Sequence, residues 1–111
     1  FDNVRGFMIY GDYATPRPQA AIVDAVAAGE IDIAFVWGPV AGYFAKQQPV
    51  PLKVAPLAAH FDGPQLPMIF DVSLGTKKEN RQLRSEIEAA LQRRSRDVQA
   101  LLASYGVPRV E

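Results

Sequence analysis

Residues 20–39, "AAIVDAVAAGEIDIAFVWGP", change period halfway along. Up to Gly29 the apolar residues Ile22, Ala25 and Val26 fall on one face of a 3.6-residue repeat. From Ile31 to Trp37 the run is almost continuously apolar, as in a strand buried on both faces. A helix that hands over to a strand across a single glycine is half of a βαβ unit. The other half lies upstream, where "VRGFMIY" at 4–10 reads as a strand bounded by Gly11 and Asp12. The helix between them would start at a Thr15 cap, with Pro16 and Pro18 in its first turn, where a missing N–H does no harm. A parallel pairing of 4–10 with 31–37 through a right-handed crossover is the expected connection.

Working outward, Gly38 and Pro39 open a shorter helix, "PVAGYFAKQ", with Val40, Tyr43 and Phe44 at one-face spacing and Gly42 permitting close approach. "LKVAPL" at 52–57 reads as an edge strand because Pro51 and Pro56 flank or interrupt it. Residues 58–67, "AAHFDGPQLP", are rich in turn formers and read as a loop or domain crossing. "MIFDVSLG" at 68–75 is the last expected strand. Two helices follow. Leu83, Ile87, Ala90 and Leu91 form the stripe of the first, and Val98, Leu101, Leu102 and Tyr105 that of the second, which Ser95 can cap and Gly106 with Pro108 stops.

The totals narrow the function classes. The chain of 111 residues supplies material for one modest core, and Lys plus Arg balances Asp plus Glu at 12 each. No net field therefore recruits nucleic acid or an anionic membrane. The balance is uneven: residues 1–75 carry four basic side chains against seven acidic, and residues 76–111 carry eight against five. Zero cysteines exclude disulfides and thiolate chemistry, and a single histidine, His60, argues against a transition-metal site. No apolar run approaches the ~18 residues of a membrane span. No nucleophile elbow, phosphate loop or dinucleotide fingerprint is present, so an enzyme reading lacks catalytic groups and no cofactor is expected. "GTKKEN" at 75–80 lacks the glycine spacing of a phosphate cradle and reads as a hydrophilic turn.

The residues that could line a cleft gather at strand ends. Trp37 closes the strand 31–37, at the position where open α/β sheets meet their ligands. It can face that crevice or pack under the helix that Gly38 begins. Asp12 and Tyr13 close the preceding strand and could reach the same crevice, although Asp12 suits a turn equally well. Arg17 stands in a first helical turn, where the dipole disfavours a cation, so an acceptor outside the helix and simple solvation are both open. Tyr43, one turn into the next helix, reads as a core or hinge aromatic.

The order of elements resembles the C-terminal half of type II periplasmic solute-binding proteins. The matching stretches are "AAIVDAVAAGEIDIAFVWGP", "MIFDVSLGTKKENRQLRSEIEAAL" and "VQALLASYGVP", which cover nearly the whole chain. Within that superfamily, "GDYATPRPQAAIVDAVAAGEIDIAFVWGPVAGYFAKQ" and "DGPQLPMIFDVSLGTKK" are similar to the quinoprotein dehydrogenase-associated branch, the XoxJ/MoxJ type. "GEIDIAFVWGPVAGYFA" is the most specific part of the match.

The resemblance implies an α/β fold of the type II periplasmic binding protein kind, two lobes with a cleft, this chain covering most of the C-terminal half. Residues 1–66 would form part of the smaller lobe, and residues 67–111 a hinge strand and terminal helices returning to the larger. It implies a non-enzymatic periplasmic protein that assists maturation or activation of a PQQ-dependent methanol dehydrogenase. The alternative is a solute-binding protein that feeds an ABC transporter with a small polar solute. Amino-acid carriers of the superfamily usually place an aspartate, the receiver of the ligand's ammonium group, where this chain has Trp37. An indole face holds a cation with only ~0.5–2 kcal/mol, which favours the accessory role. The opening "FDNVRGFMIYG" reads as the approach to a strand. Because the strands read as doubly buried while few helices are available to cover them, the expectation is that a preceding segment or another copy of the chain completes the fold.

Overall fold

The computed structural model describes residues 2–10, 16–57, 61–62, 66–69 and 71–110. Its first regular element is a 3-10 turn, Pro18–Ala20, that runs directly into helix α1 (Ala21–Ala27). Thr15, the expected cap, lies outside the described residues. Arg17 precedes the turn with φ 54° and ψ 50°, a left-handed conformation, and its carbonyl accepts from the Ala20 N–H at 2.9 Å. Helix α1 stops where expected. Gly29 takes φ 73°, its N–H donates to the Val26 carbonyl and that of Glu30 donates to Ala25, which is a Schellman ending.

Helix α2 (Gly38–Ala45) begins at the Gly-Pro pair, as the missing proline donor allows, with Trp37 as its N-cap residue. Ala20, Val23 and Ala25 are buried and Gly42 of α2 is buried with them, so the core sits where α1 meets α2. A side-chain tie reinforces that contact: Gln48 Nε2 donates to Asp24 Oδ1 at 2.7 Å.

The chain ends in helices α3 (Arg81–Arg93) and α4 (Ser95–Ser104), which meet at Arg94 and pack on each other. Asn80 caps α3 by accepting from the Leu83 N–H at 3.1 Å, a role for the "GTKKEN" turn that needs no anion. Ser95 is the first residue of α4 and Arg94 its N-cap, so the expected serine cap is not used. Arg84 Nε donates to Glu88 Oε1 at 2.8 Å across one turn, and this hydrogen bond, followed by the carboxylate's charge, raises the guanidinium pKa above its ordinary value. Helix α4 ends like α1, with Gly106 at φ 74° and the Val107 N–H donating to Leu102.

The strands differ from expectation. Among the described residues the sheet consists of β1 (Phe61–Asp62) and β2 (Leu66–Pro67), antiparallel, with Phe61 opposite Pro67 and Asp62 opposite Leu66. Both fall in the stretch read as a loop. The stretches 4–10, 31–37, 52–57 and 68–75 join no ladder among the described residues. A helix satisfies its backbone from within, whereas a strand needs a second segment, and apolar patterning cannot supply one. The pattern of 31–37 survives in its exposure: Ile33, Phe35 and Trp37 are 75, 76 and 54% exposed, while Ala34 and Val36 between them are half-buried. That two-residue alternation is the signature of an extended chain with one face covered.

Candidate functional site

Helix α2 organises the surroundings of the candidate residues. Its sequence GPVAGYFA puts Gly42 against the residues that follow α4, and the two backbones nearly touch. A Cβ on Gly42 would collide with the Gly106 carbonyl oxygen, and one on Gly106 would lie 2.7 Å from the Gly42 oxygen. Only glycine at both positions lets the elements come this close. Two contacts form beside the crossing. Tyr43 stacks on Tyr105, with ring centroids 5.7 Å apart and planes 16° from parallel. Lys46 Nζ donates to the carbonyls of Ser104 at 2.9 Å and Ala103 at 3.2 Å. Both carbonyls lie at the negative end of α4, where that of Ala103 already accepts from the Gly106 N–H at 3.0 Å, so the ammonium adds a further donor and meets the helix dipole.

An open groove of about 460 Å³ runs between α2 and α4, lined chiefly by Val40, Tyr43, Phe44, Leu101, Leu102 and Tyr105. Its walls are apolar. Such a surface accepts an aromatic or aliphatic side chain and offers little to orient a charged solute.

The sequence-selected residues divide into two sets. Arg17 and Tyr43 come together through Phe44: the Arg17 guanidinium lies 5.2 Å from the Phe44 ring centroid, and Tyr43 meets the same ring edge-on at 5.1 Å. Arg17 also donates to Gln47 Oε1 at 3.2 Å, so the arginine has partners within the chain. Trp37 and Gly38 stand at the start of α2, the indole half-exposed. A Cβ on Gly38 would lie 2.8 Å from Pro108 Cγ, so the glycine admits the tail's return. Asp12 and Tyr13 lie outside the described residues, as does His60. Among the described residues no group of three His, Asp or Glu side chains could hold a metal, and no helix is long and apolar enough to cross a membrane.

Sequence reasoning did not single out Lys46. A lysine just past the last turn of a helix reads as solvated, and its partners lie nearly 60 positions away. Gly106 at the end of α4, with Gly42 already marked for close approach, is the signal from which the crossing could have been found.

The chain is similar in sequence to two MoxJ proteins. Protein MoxJ of Methylorubrum extorquens is 28% identical over 106 residues, which cover 87% of this chain and 35% of that protein. Protein MoxJ of Paracoccus denitrificans is 29% identical over 97 residues, 85% of this chain and again 35% of the relative. The chain thus spans about a third of the length of the MoxJ proteins it matches. No protein-family model matches it, and no solved structure does.

Proposed function

We propose that this chain belongs to a non-enzymatic accessory protein of methanol oxidation, acting in the periplasm on a PQQ-dependent methanol dehydrogenase. The observation that carries the reading is the MoxJ similarity over 87% of the chain. The scaffold proposed is the C-terminal half of a type II binding protein, as the order of helices and apolar segments suggests. Two features favour an accessory role over solute capture. Trp37 ends the apolar segment 31–37, where the resemblance puts the carboxylate of an amino-acid carrier, and the groove beside α2 is apolar. Surfaces of that composition, with paired tyrosines, suit a protein partner better than a zwitterion.

The test is capture from periplasmic extract of a methanol-grown cell by the tagged full-length protein, with methanol dehydrogenase identified by mass spectrometry and by its quinone absorbance. A thermal-shift screen with free amino acids runs beside it. The reading expects enrichment of the dehydrogenase and no shift. A ligand at 100 times its Kd would add about 2.7 kcal/mol to folding stability. A clear rise in Tm with an amino acid, and no dehydrogenase on the beads, would replace the proposal with a transport protein.

A further inference from the structure

The groove between α2 and α4 carries a cation at one end of one wall, and wall and cation together specify an occupant. Val40, Tyr43 and Phe44 recur at i, i+3 and i+4, so they share one face of α2. Leu101 and Tyr105, one turn apart, belong to the wall opposite. Tyr43, Leu101 and Tyr105 are 41, 57 and 53% exposed, an adjoining cluster rather than scattered single residues. None of the lining residues carries a charge.

Gln47, just past the last turn of α2, continues that face at i+7 from Val40. Its Nε2 donates to the Tyr43 carbonyl at 3.4 Å, and its Oε1 accepts from Arg17 at 3.2 Å. The Arg17 guanidinium is thereby set over the Phe44 ring, at the end of the wall nearest the C-terminus of α2. Arg17 is exposed and takes a positive φ that a β-carbon disfavours. Among the described residues one of its five N–H donors has a side-chain acceptor, so a fork that fits a carboxylate is still presented. The walls are held apart before anything enters. The Gly42–Gly106 crossing, the Lys46 bonds and the tyrosine stack fix where the end of α4 lies against α2.

These features select among occupants. The apolar walls offer a peptide no hydrogen bonds, so a backbone lying along them must satisfy itself, as a helix does. The groove is open on its outer side, where a small ligand would leave apolar surface in water and an amphipathic helix would present its polar face. Charge complementarity with Arg17 adds an acid at one end.

We propose that the groove docks an amphipathic helix of a partner protein, with apolar side chains at i and i+4 between the two walls and an Asp or Glu one turn on meeting Arg17. The proposal rests on the reading of this groove as a protein-binding surface and names the chemistry of the segment that enters it.

The experiment is fluorescence anisotropy of labelled alanine-based peptides, about 16 residues long so that they are partly helical, titrated with the purified MoxJ-like protein. Each peptide carries Phe and Leu at i and i+4, and Glu, Gln or Lys at i+7. The Glu peptide should saturate with Kd below ~1 mM. The Gln peptide should bind about fivefold more weakly, as befits a solvent-edged ion pair, and the Lys peptide more weakly still. On Arg17→Gln protein the Glu and Gln peptides should bind alike. Leu101→Glu should remove binding while the urea midpoint shows the protein folded; should that variant not fold, the Arg17→Gln comparison decides alone. No saturation by any peptide, or equal affinity of the Glu and Gln peptides for the parent protein, overturns the proposal. Displacement of the Glu peptide by 4-phenylbutyrate at a lower concentration than unlabelled peptide requires also overturns it, in favour of a small apolar acid. So does self-association of the protein that the Glu peptide reverses, which would make the occupant a second copy. No dehydrogenase is present, so failure here and failure of the accessory role are separate results.

Discussion

The surroundings of α2 and the segment that delivers the chain to it obey different physics. Helix α2 closes its own hydrogen bonds, rests on α1, and is clasped to the end of α4 by Gly42, Tyr43 and Lys46. Residues 31–36 immediately before it are more apolar, yet they leave Ile33 and Phe35 in water. Hydrophobicity alone does not make structure. A helix needs a face to bury, whereas a strand needs both a face and a neighbour's backbone, and among the described residues the second requirement is met at one end of the segment only.

That contrast can be broken most severely at the glycine crossing. Gly42→Ala should cost about 3 kcal/mol, the upper end for overpacking, because the methyl group meets backbone that cannot rotate away. A lowered urea midpoint with loss of near-UV dichroism from the tyrosine pair would register it. Gly106→Ala comes next, at roughly 2 kcal/mol, since it combines a left-handed backbone with contact to the Gly42 oxygen. Gly29→Ala separates these two causes. It has the same positive φ but nothing within 4 Å of the added methyl, so only the conformational cost of about 1 kcal/mol should appear in the same denaturant series.

Smaller effects sharpen the comparison from the charged side. Lys46→Met keeps the stem and removes the donor to the last carbonyls of α4, for an expected loss of about 0.5–1 kcal/mol. Added salt should shrink the difference between Lys46→Met and the parent. Arg5→Gln should change stability by less than about 0.5 kcal/mol. Its ion pair with Glu30 at 2.9 Å is more than half exposed on both sides, and water and ions screen it. A double-mutant cycle with Glu30→Gln measures that coupling.

What could be read in the sequence was the chemistry contained in a few neighbouring residues. Gly29 and Gly106 mark helix ends, and Gly38-Pro39 marks a helix start, because each acts through its own backbone. Gly42 was legible as a point of close approach, though not what approaches. The strands were legible as apolar pattern but form no ladder among the described residues, since a ladder partner lies outside any local window. The pair β1 and β2 arose in a stretch whose glycine and prolines read as loop. At the candidate site, Arg17 and Tyr43 were found by residue type. Their common contact, Phe44, and the lysine that clasps α4 depend on tertiary geometry alone.

The proposed role in methanol oxidation is tested most directly by titrating purified PQQ-dependent methanol dehydrogenase into the MoxJ-like protein in a calorimeter, with and without a mixture of free amino acids. The account predicts saturable binding with Kd near or below ~1 μM, about −8.2 kcal/mol, unchanged by the amino acids. Absence of heat with the dehydrogenase, together with stoichiometric uptake of an amino acid by the protein alone, would contradict it.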